Sequence, residues 1–208
     1  MVEQPAPRAH LLRRAELALV VVAVVFLSLQ LAWVPRPLGL STDEATYLQV
    51  VRGKTAALFA AAAQVGAMAA GATEAQAEAM RVYGDALGIA FQIADDLLDY
   101  DGATAAIGKN TGDDFRERKL TLPVIKAVAQ ADGEERAFWQ RTIEKGDQQE
   151  GDLERAMAIL GHHGAIDAAR ADALAWAARG RSALEALPEG EIRALLTELA
   201  DFVVARVA

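Results

Sequence analysis

Three carboxylates stand inside one apolar run, Phe91-Gln92-Ile93-Ala94-Asp95-Asp96-Leu97-Leu98-Asp99. Residues three and four apart lie on one side of an α-helix, so Gln92, Asp95, Asp96 and Asp99 share a face while Ile93, Leu97 and Tyr100 fall on another. The segment reads as a helix with its back in a core and its acidic front toward a cavity. Neighbouring negative charges repel, and in a poorly hydrated cleft at least one is pushed toward its protonated form. A divalent cation removes that conflict. All-oxygen ligands favour a hard ion, and Mg²⁺ is usually held by one or two carboxylates while it keeps waters and accepts phosphate oxygens from a substrate. The ligand implied is a phosphorylated or diphosphorylated molecule. Taken alone, DDxxD is also the pattern of a solvated acidic helix face.

The helices that would carry this face have legible ends. Ser41-Thr42-Asp43-Glu44 has the form of a capping box, with Ser41 as N-cap and Glu44 at N3, and predicts a helix to about Gly66 with Lys54 and Thr55 in its middle. A second helix opens near Thr73-Glu74 and runs to about Tyr100. Ala61, Ala62, Ala63, Gly84 and Gly88 are small enough to let the two approach closely. Asp101-Gly102 ends the acidic helix, and the glycines up to Gly112 mark a loop that holds Lys109 beside it. Thr121 can cap the next helix with Pro123 in its first turn, where a missing N–H does little harm. Beyond Ala127 the pattern predicts amphipathic helices broken near Gly146, Gly161 and Pro188. Adjacent residues point to different faces of a helix, so His162-His163 reads as an exposed helix junction rather than a metal site.

Composition agrees with an all-α protein. Alanine is abundant, the only prolines after residue 40 are Pro123 and Pro188, and no long alternation of apolar and polar residues reads as a strand. A chain of 208 residues can bury one sizeable core. Without cysteine there are no disulfides and no thiolate metal sites. The net charge of −8 argues against nucleic acid as a partner. An acidic protein that handles an anion needs local positive charge or metal, which Lys54, Lys109, Lys119 and Mg²⁺ would supply.

Lys54-Thr55, the DDxxD run, Lys109 and Gly112-Asp113-Asp114-Phe115-Arg116-Glu117-Arg118-Lys119-Leu120-Thr121-Leu122-Pro123 follow one another at spacings that resemble the C-terminal part of the trans-type polyprenyl diphosphate synthases, octaprenyl- and decaprenyl-like. The resemblance runs from about Ser41 to the C-terminus and is densest between Val51 and Ile125. It implies an isoprenoid synthase-type helical bundle over residues 41–208, incomplete because the N-terminal helices with the family's first aspartate-rich motif and its arginine pair are missing upstream of Ser41. In such enzymes an allylic diphosphate ionises to pyrophosphate and an allylic cation, which isopentenyl diphosphate attacks before a proton is lost. By that likeness Asp95, Asp96 and Asp99 match Mg²⁺ ligands, and Lys54 and Lys109 match diphosphate-binding lysines, with Lys119 in a weaker version of that role. Thr55 and Gln92 match positions near the cation and the departing proton. The partners implied are the two diphosphates, and a homodimer or a full-length synthase paired with this chain. The likeness leaves two readings: a long-chain synthase supplying quinone side chains, or a non-catalytic diphosphate-binding or structural subunit. A membrane-tethered protein that keeps the pattern without the chemistry is a third.

Residues 1–40 differ sharply from the rest. Arg8, Arg13, Arg14 and Arg36 outnumber Glu3 and Glu16, and Leu17 to Val34 carries no charge. Those 18 residues would make about 27 Å of helix, close to the roughly 30 Å of bilayer hydrocarbon. One reading is an N-terminal anchor with membrane contact through 17–34, although an anchor with its N-terminus inside would place the rest outside the cytoplasm, whereas the resemblance implies a cytoplasmic location. A signal peptide lacks a clear cleavage site here. A buried helix and a segment not native to the domain are the other two readings, and the absent first motif favours the last.

Overall fold

The computed structural model describes residues 40–100 and 112–207. Among them every regular element is a helix. Residues 17–34 and Lys109 lie outside the described residues. No helix among the described residues is long and apolar enough to cross a membrane.

Helix α1, Glu44–Val51, begins at Asp43 rather than Ser41. Asp43 is extended, and its carboxylate accepts the Thr46 N–H at 2.8 Å, which is the N-cap bond that the sequence assigned to Ser41. The rod continues through a π turn, Arg52–Ala56, into α2, Ala57–Ala69, three residues beyond the expected end at Gly66. Gly71, in the left-handed region, then turns the chain. Helix α3, Glu74–Leu98, opens as expected, with Thr73 and Gln76 forming a capping box. Its 25 residues make about 37 Å of helix.

This long helix is the centre of the molecule. A Cβ on Gly84 would come within 2.4 Å of the Phe59 carbonyl oxygen, and one on Gly88 within 2.6 Å of Ala56 Cα. The π turn and α2 therefore lie directly on α3. Ala56 and Ala60 make this contact from the other side, whereas Ala61 and Ala63 are half-exposed and Ala62 is exposed. The alanine run thus faces largely away, because the π turn alters which residues of the rod look inward.

On the opposite flank comes α8, Ala165–Ala183, with a stripe of Ala165, Ala169, Ala173 and Ala177 at zero exposure. Spacing by four keeps these methyls on one face, so the helix packs closely on α3. The last helix, α9, Glu191–Ala205, also lies against α3 and α8, and its Leu196 carbonyl accepts the Tyr83 hydroxyl at 2.8 Å.

Shorter elements close the end of the bundle where α3 stops. A single turn, α4 (Asp113–Arg116), follows Gly112, whose φ of 85° needs glycine. Phe115 on that turn packs with Phe138 and Trp139 at 6.5 and 6.4 Å between ring centroids. The latter two belong to α6, Gly133–Trp139, which runs on through a second π turn, Gln140–Glu144. Between them α5, Leu122–Gln130, holds Pro123 in its first turn. Thr121 is its N-cap residue, but its hydroxyl donates instead to the buried Tyr100 oxygen at 3.1 Å.

The break at Gly146 is present, with φ at 70°. The break expected at Gly161 falls later. Helix α7, Asp152–His162, runs past Gly161, and the chain turns at Gly164 with φ at 58°. His162 and His163 do sit at this junction, but they do not diverge. His163 has left helical geometry (φ −87°, ψ 1°), and the two rings meet edge to face at 4.9 Å.

Candidate functional site

The C-terminal end of α3 brings the separate motifs into one hydrogen-bonded line. Thr55, on the π turn, donates its hydroxyl to Gln92 Oε1 at 2.9 Å. The Gln92 amide nitrogen donates to Asp96 Oδ1 at 2.9 Å. From α1, the Tyr47 hydroxyl donates to Asp96 Oδ2 at 2.6 Å. Threonine hydroxyl, glutamine amide and aspartate are thereby locked in one arrangement before any ligand arrives. The π turn positions the first of them. An i→i+5 turn inside an α-helix is uncommon and is frequent at functional sites; this one presents Lys54 exposed and Thr55 half-buried.

Asp96 is 6 % exposed. Burial pushes its carboxyl up to about 6, against the bonds from Tyr47 and Gln92 that favour the charged form. The same burial, with the Asp96 charge beside it, holds the Tyr47 hydroxyl well above its ordinary range, so tyrosine remains the donor. Asp95 is half-buried, and its carboxylate makes no hydrogen bond among the described residues. Asp99 looks the other way along the chain. Its Oδ1 accepts the Asp113 N–H at 3.1 Å and its Oδ2 the Asp114 N–H at 2.9 Å, which fastens the turn after Gly112 to the acidic helix. Desolvation raises its carboxyl as well.

Two participants carried no assigned role in the sequence. Tyr47 occupies an ordinary inward position of α1 and betrays nothing locally; its partner is 49 residues away. Asp114 stands next to the cluster, with its charge raising the Asp96 carboxyl. A second aspartate pair in the sequence was the available signal. Lys119 does reach the acidic side, but through that residue: its ammonium is 2.6 Å from Asp114 Oδ1 and 2.8 Å from Glu117 Oε2, and those carboxylates raise its affinity for the proton against its own desolvation. Lys54 forms no ion pair among the described residues.

The acidic residues do not close on one point. Among the described residues, the only three metal-ligating groups whose atoms all lie within 4.8 Å of one another are Glu135, His162 and His163. The open, all-oxygen set at the end of α3 fits Mg²⁺, which needs one or two carboxylates and keeps its waters. Asp96 and Asp99 each retain lone pairs beyond those already engaged, since a carboxylate offers about four acceptor sites. Among the described residues, Lys119 is ion-paired with Asp114 and Arg116 with Asp113 of the same segment.

A family model described as polyprenyl synthetase matches residues 28–160. Octaprenyl diphosphate synthase of Haemophilus influenzae is 42 % identical over 165 residues, covering 79 % of this chain and 50 % of the relative. A crystal structure of a decaprenyl diphosphate synthase from Rhodobacter capsulatus superposes with a TM-score of 0.81 at 52 % identity, over 94 % of this chain and 60 % of that one. A polyprenyl synthase from Caulobacter crescentus, complexed with calcium and isoprenyl diphosphate, gives 0.82 at 43 % identity over 93 % and 59 %. The chain spans about half the length of the curated relatives it matches. With its all-helical fold and its motifs gathered at one end of the bundle, this chain belongs to the polyprenyl synthetase family.

Proposed function

We propose that this chain is the C-terminal part of a trans-prenyltransferase that condenses isopentenyl diphosphate with an allylic diphosphate to make a long-chain polyprenyl diphosphate, a quinone side-chain precursor. The observation that carries the reading is the line Thr55–Gln92–Asp96–Tyr47, in which residues from three separate stretches of sequence are already oriented on one acidic end. The octaprenyl and decaprenyl names among its relatives support a long product.

In this reading Asp95, Asp96 and Asp99 hold Mg²⁺. When bound, the ion would stabilise the negative charge that develops on the leaving diphosphate. The protein's own groups do the rest. Lys54 and Lys109 bind diphosphate oxygens, and Lys119 adds positive charge from its place on Asp114. Thr55 directs its hydroxyl oxygen, whose proton is committed to Gln92, toward the cationic carbon. Gln92 lies next along the line, at the place of the departing proton. Tyr47 keeps the Asp96 carboxylate pointed and charged despite its burial.

The alternative reading is a non-catalytic diphosphate-binding or structural subunit of a synthase. One experiment separates the two. The purified chain is incubated with farnesyl diphosphate, radiolabelled isopentenyl diphosphate and Mg²⁺, with and without a full-length synthase. Elongation by the chain alone, lost in Asp95→Ala, supports the enzyme. No elongation alone, with the activity of an intact full-length partner raised by adding this chain and raised equally by its Asp95→Ala variant, replaces it with the subunit reading.

A further inference from the structure

We infer that Glu135, His162 and His163 form a second metal site, separate from the acidic end of α3, that takes a divalent transition ion of the Zn²⁺ class. Their ligand atoms lie within 4.8 Å of one another, and His163 Nε2 is 2.7 Å from Glu135 Oε2. The site joins two elements that are close only in the fold, the first turn of α6 and the C-terminal end of α7.

The convergence comes from the backbone. Two consecutive histidines inside a helix would point about 100° apart. Here α7 ends at His162, His163 leaves helical geometry, and the two rings meet edge to face at 4.9 Å. The carboxylate opposite is fixed on its own helix. Glu135 is the N3 residue of a capping box, with Oε2 accepting the Asp132 N–H at 3.3 Å. Its side chain and that of His163 are largely buried, at 17 % and 13 % exposed, while His162 is open to solvent and supplies a path of entry. The position also suits a cation: it stands at the C-terminus of an 11-residue helix, the negative end of its dipole, beside a carboxylate.

The donors select the ion. Two imidazoles and one carboxylate with a free fourth position are a three-ligand set used by Zn²⁺ and are poor partners for Mg²⁺. Bond lengths near 2.0–2.2 Å put tetrahedral ligand atoms about 3.4 Å apart. Reaching that spacing requires the 2.7 Å pair to open slightly and the exposed His162 ring to rotate inward. On binding, the ion takes the place between His163 Nε2 and Glu135 Oε2, and the neutral His163 ring carries its one proton on Nδ1. A bound ion would clamp α6 to the α7–α8 junction.

The test is calorimetric titration of Zn²⁺ into the whole chain in buffer saturated with Mg²⁺, with Co²⁺ absorption as a reading of coordination number. The expected result is one Zn²⁺ per chain, weakened at least tenfold in His162→Ala and His163→Ala and unchanged in Asp95→Asn. Intense visible absorption of the Co²⁺ form, indicating four-coordination, should disappear in the same two variants. His162→Ala removes an exposed side chain and keeps the test valid if His163→Ala does not fold. Binding unaltered in His162→Ala, or lost in Asp95→Asn instead, overturns the inference.

Discussion

Tyr47 and Asp96 stand 49 residues apart in the chain and 2.6 Å apart in the fold, hydroxyl to Oδ2. This bond joins the first helix to the acidic end of the central one, and it is the main favourable contact of a carboxylate that burial otherwise pushes toward its neutral form. Tyr47→Phe leaves the shape of the core intact and removes only the donor. A buried acceptor deprived of a partner costs about 1–3 kcal/mol, so the midpoint of urea unfolding should fall accordingly near neutral pH. Mg²⁺-dependent binding of inorganic pyrophosphate should weaken too, because the Asp96 carboxyl rises further. An unchanged midpoint would mean that this hydroxyl contributes nothing.

The raised carboxyl of Asp96 sets a pH dependence of known sign. Its ordinary value is 3.8 and its folded value about 6, so between those limits the folded protein binds a proton that the unfolded chain does not. The stabilisation from this group is present in full below about pH 4, is lost as the pH rises through 6, and stays lost above. The shift corresponds to about 3 kcal/mol at 1.4 kcal/mol per pH unit. In chelator-treated protein, the stability of Asp96→Asn minus that of the parent should therefore grow by this amount from pH 4 to pH 7. A difference independent of pH would show that Asp96 is not buried in solution.

Much of this site is legible in the sequence, and the misses have physical causes. Thr73 as the start of α3, the buried back of that segment at Ile93, Leu97 and Tyr100, and Pro123 in the first turn of α5 follow from local rules that the chain obeys. Three features do not. The π turn at Arg52–Ala56 is a change of hydrogen-bond register with no residue signature, yet it decides that Ala56 and Ala60, rather than the Ala61–Ala63 run, meet Gly88 and Gly84. Tyr47 acquires its role from a residue on another helix. The two histidines converge because α7 ends one residue later than the glycine expected to break it, and helix ends are the least determined part of any local pattern. Lys109 and residues 17–34 lie outside the described residues, so their expected roles stay with the sequence.

Asp99 both belongs to the DDxxD and fastens the following turn. Asp99→Ala should free the Asp113 and Asp114 amides, which are held at 3.1 and 2.9 Å. Their hydrogen exchange should quicken by tenfold or more, the equivalent of about 1.4 kcal/mol, while amides in the middle of α3 are unaffected. Asp95→Ala, which removes no such bond, should leave exchange at 113 and 114 unchanged. Equal acceleration in both variants would mean that charge, rather than the two backbone bonds, holds the turn.

Gly88 and Gly66 make opposite predictions for one substitution. Both sit within helices, where alanine is favoured over glycine by about 1 kcal/mol. At Gly66 a Cβ meets nothing within 4 Å, so Gly66→Ala should raise the stability by a few tenths to 1 kcal/mol. At Gly88 the new methyl would stand 2.6 Å from Ala56 Cα, a backbone atom that cannot yield without moving the π turn. Overpacking of that kind costs about 1–3 kcal/mol and exceeds the propensity gain. Displacing the turn also displaces Thr55 from Gln92, so Gly88→Ala should lose pyrophosphate binding along with stability, and Gly66→Ala should keep it. Both effects follow from a close approach that only glycine permits, and a stabilised Gly88→Ala would place α2 farther from α3 than its backbone stands here.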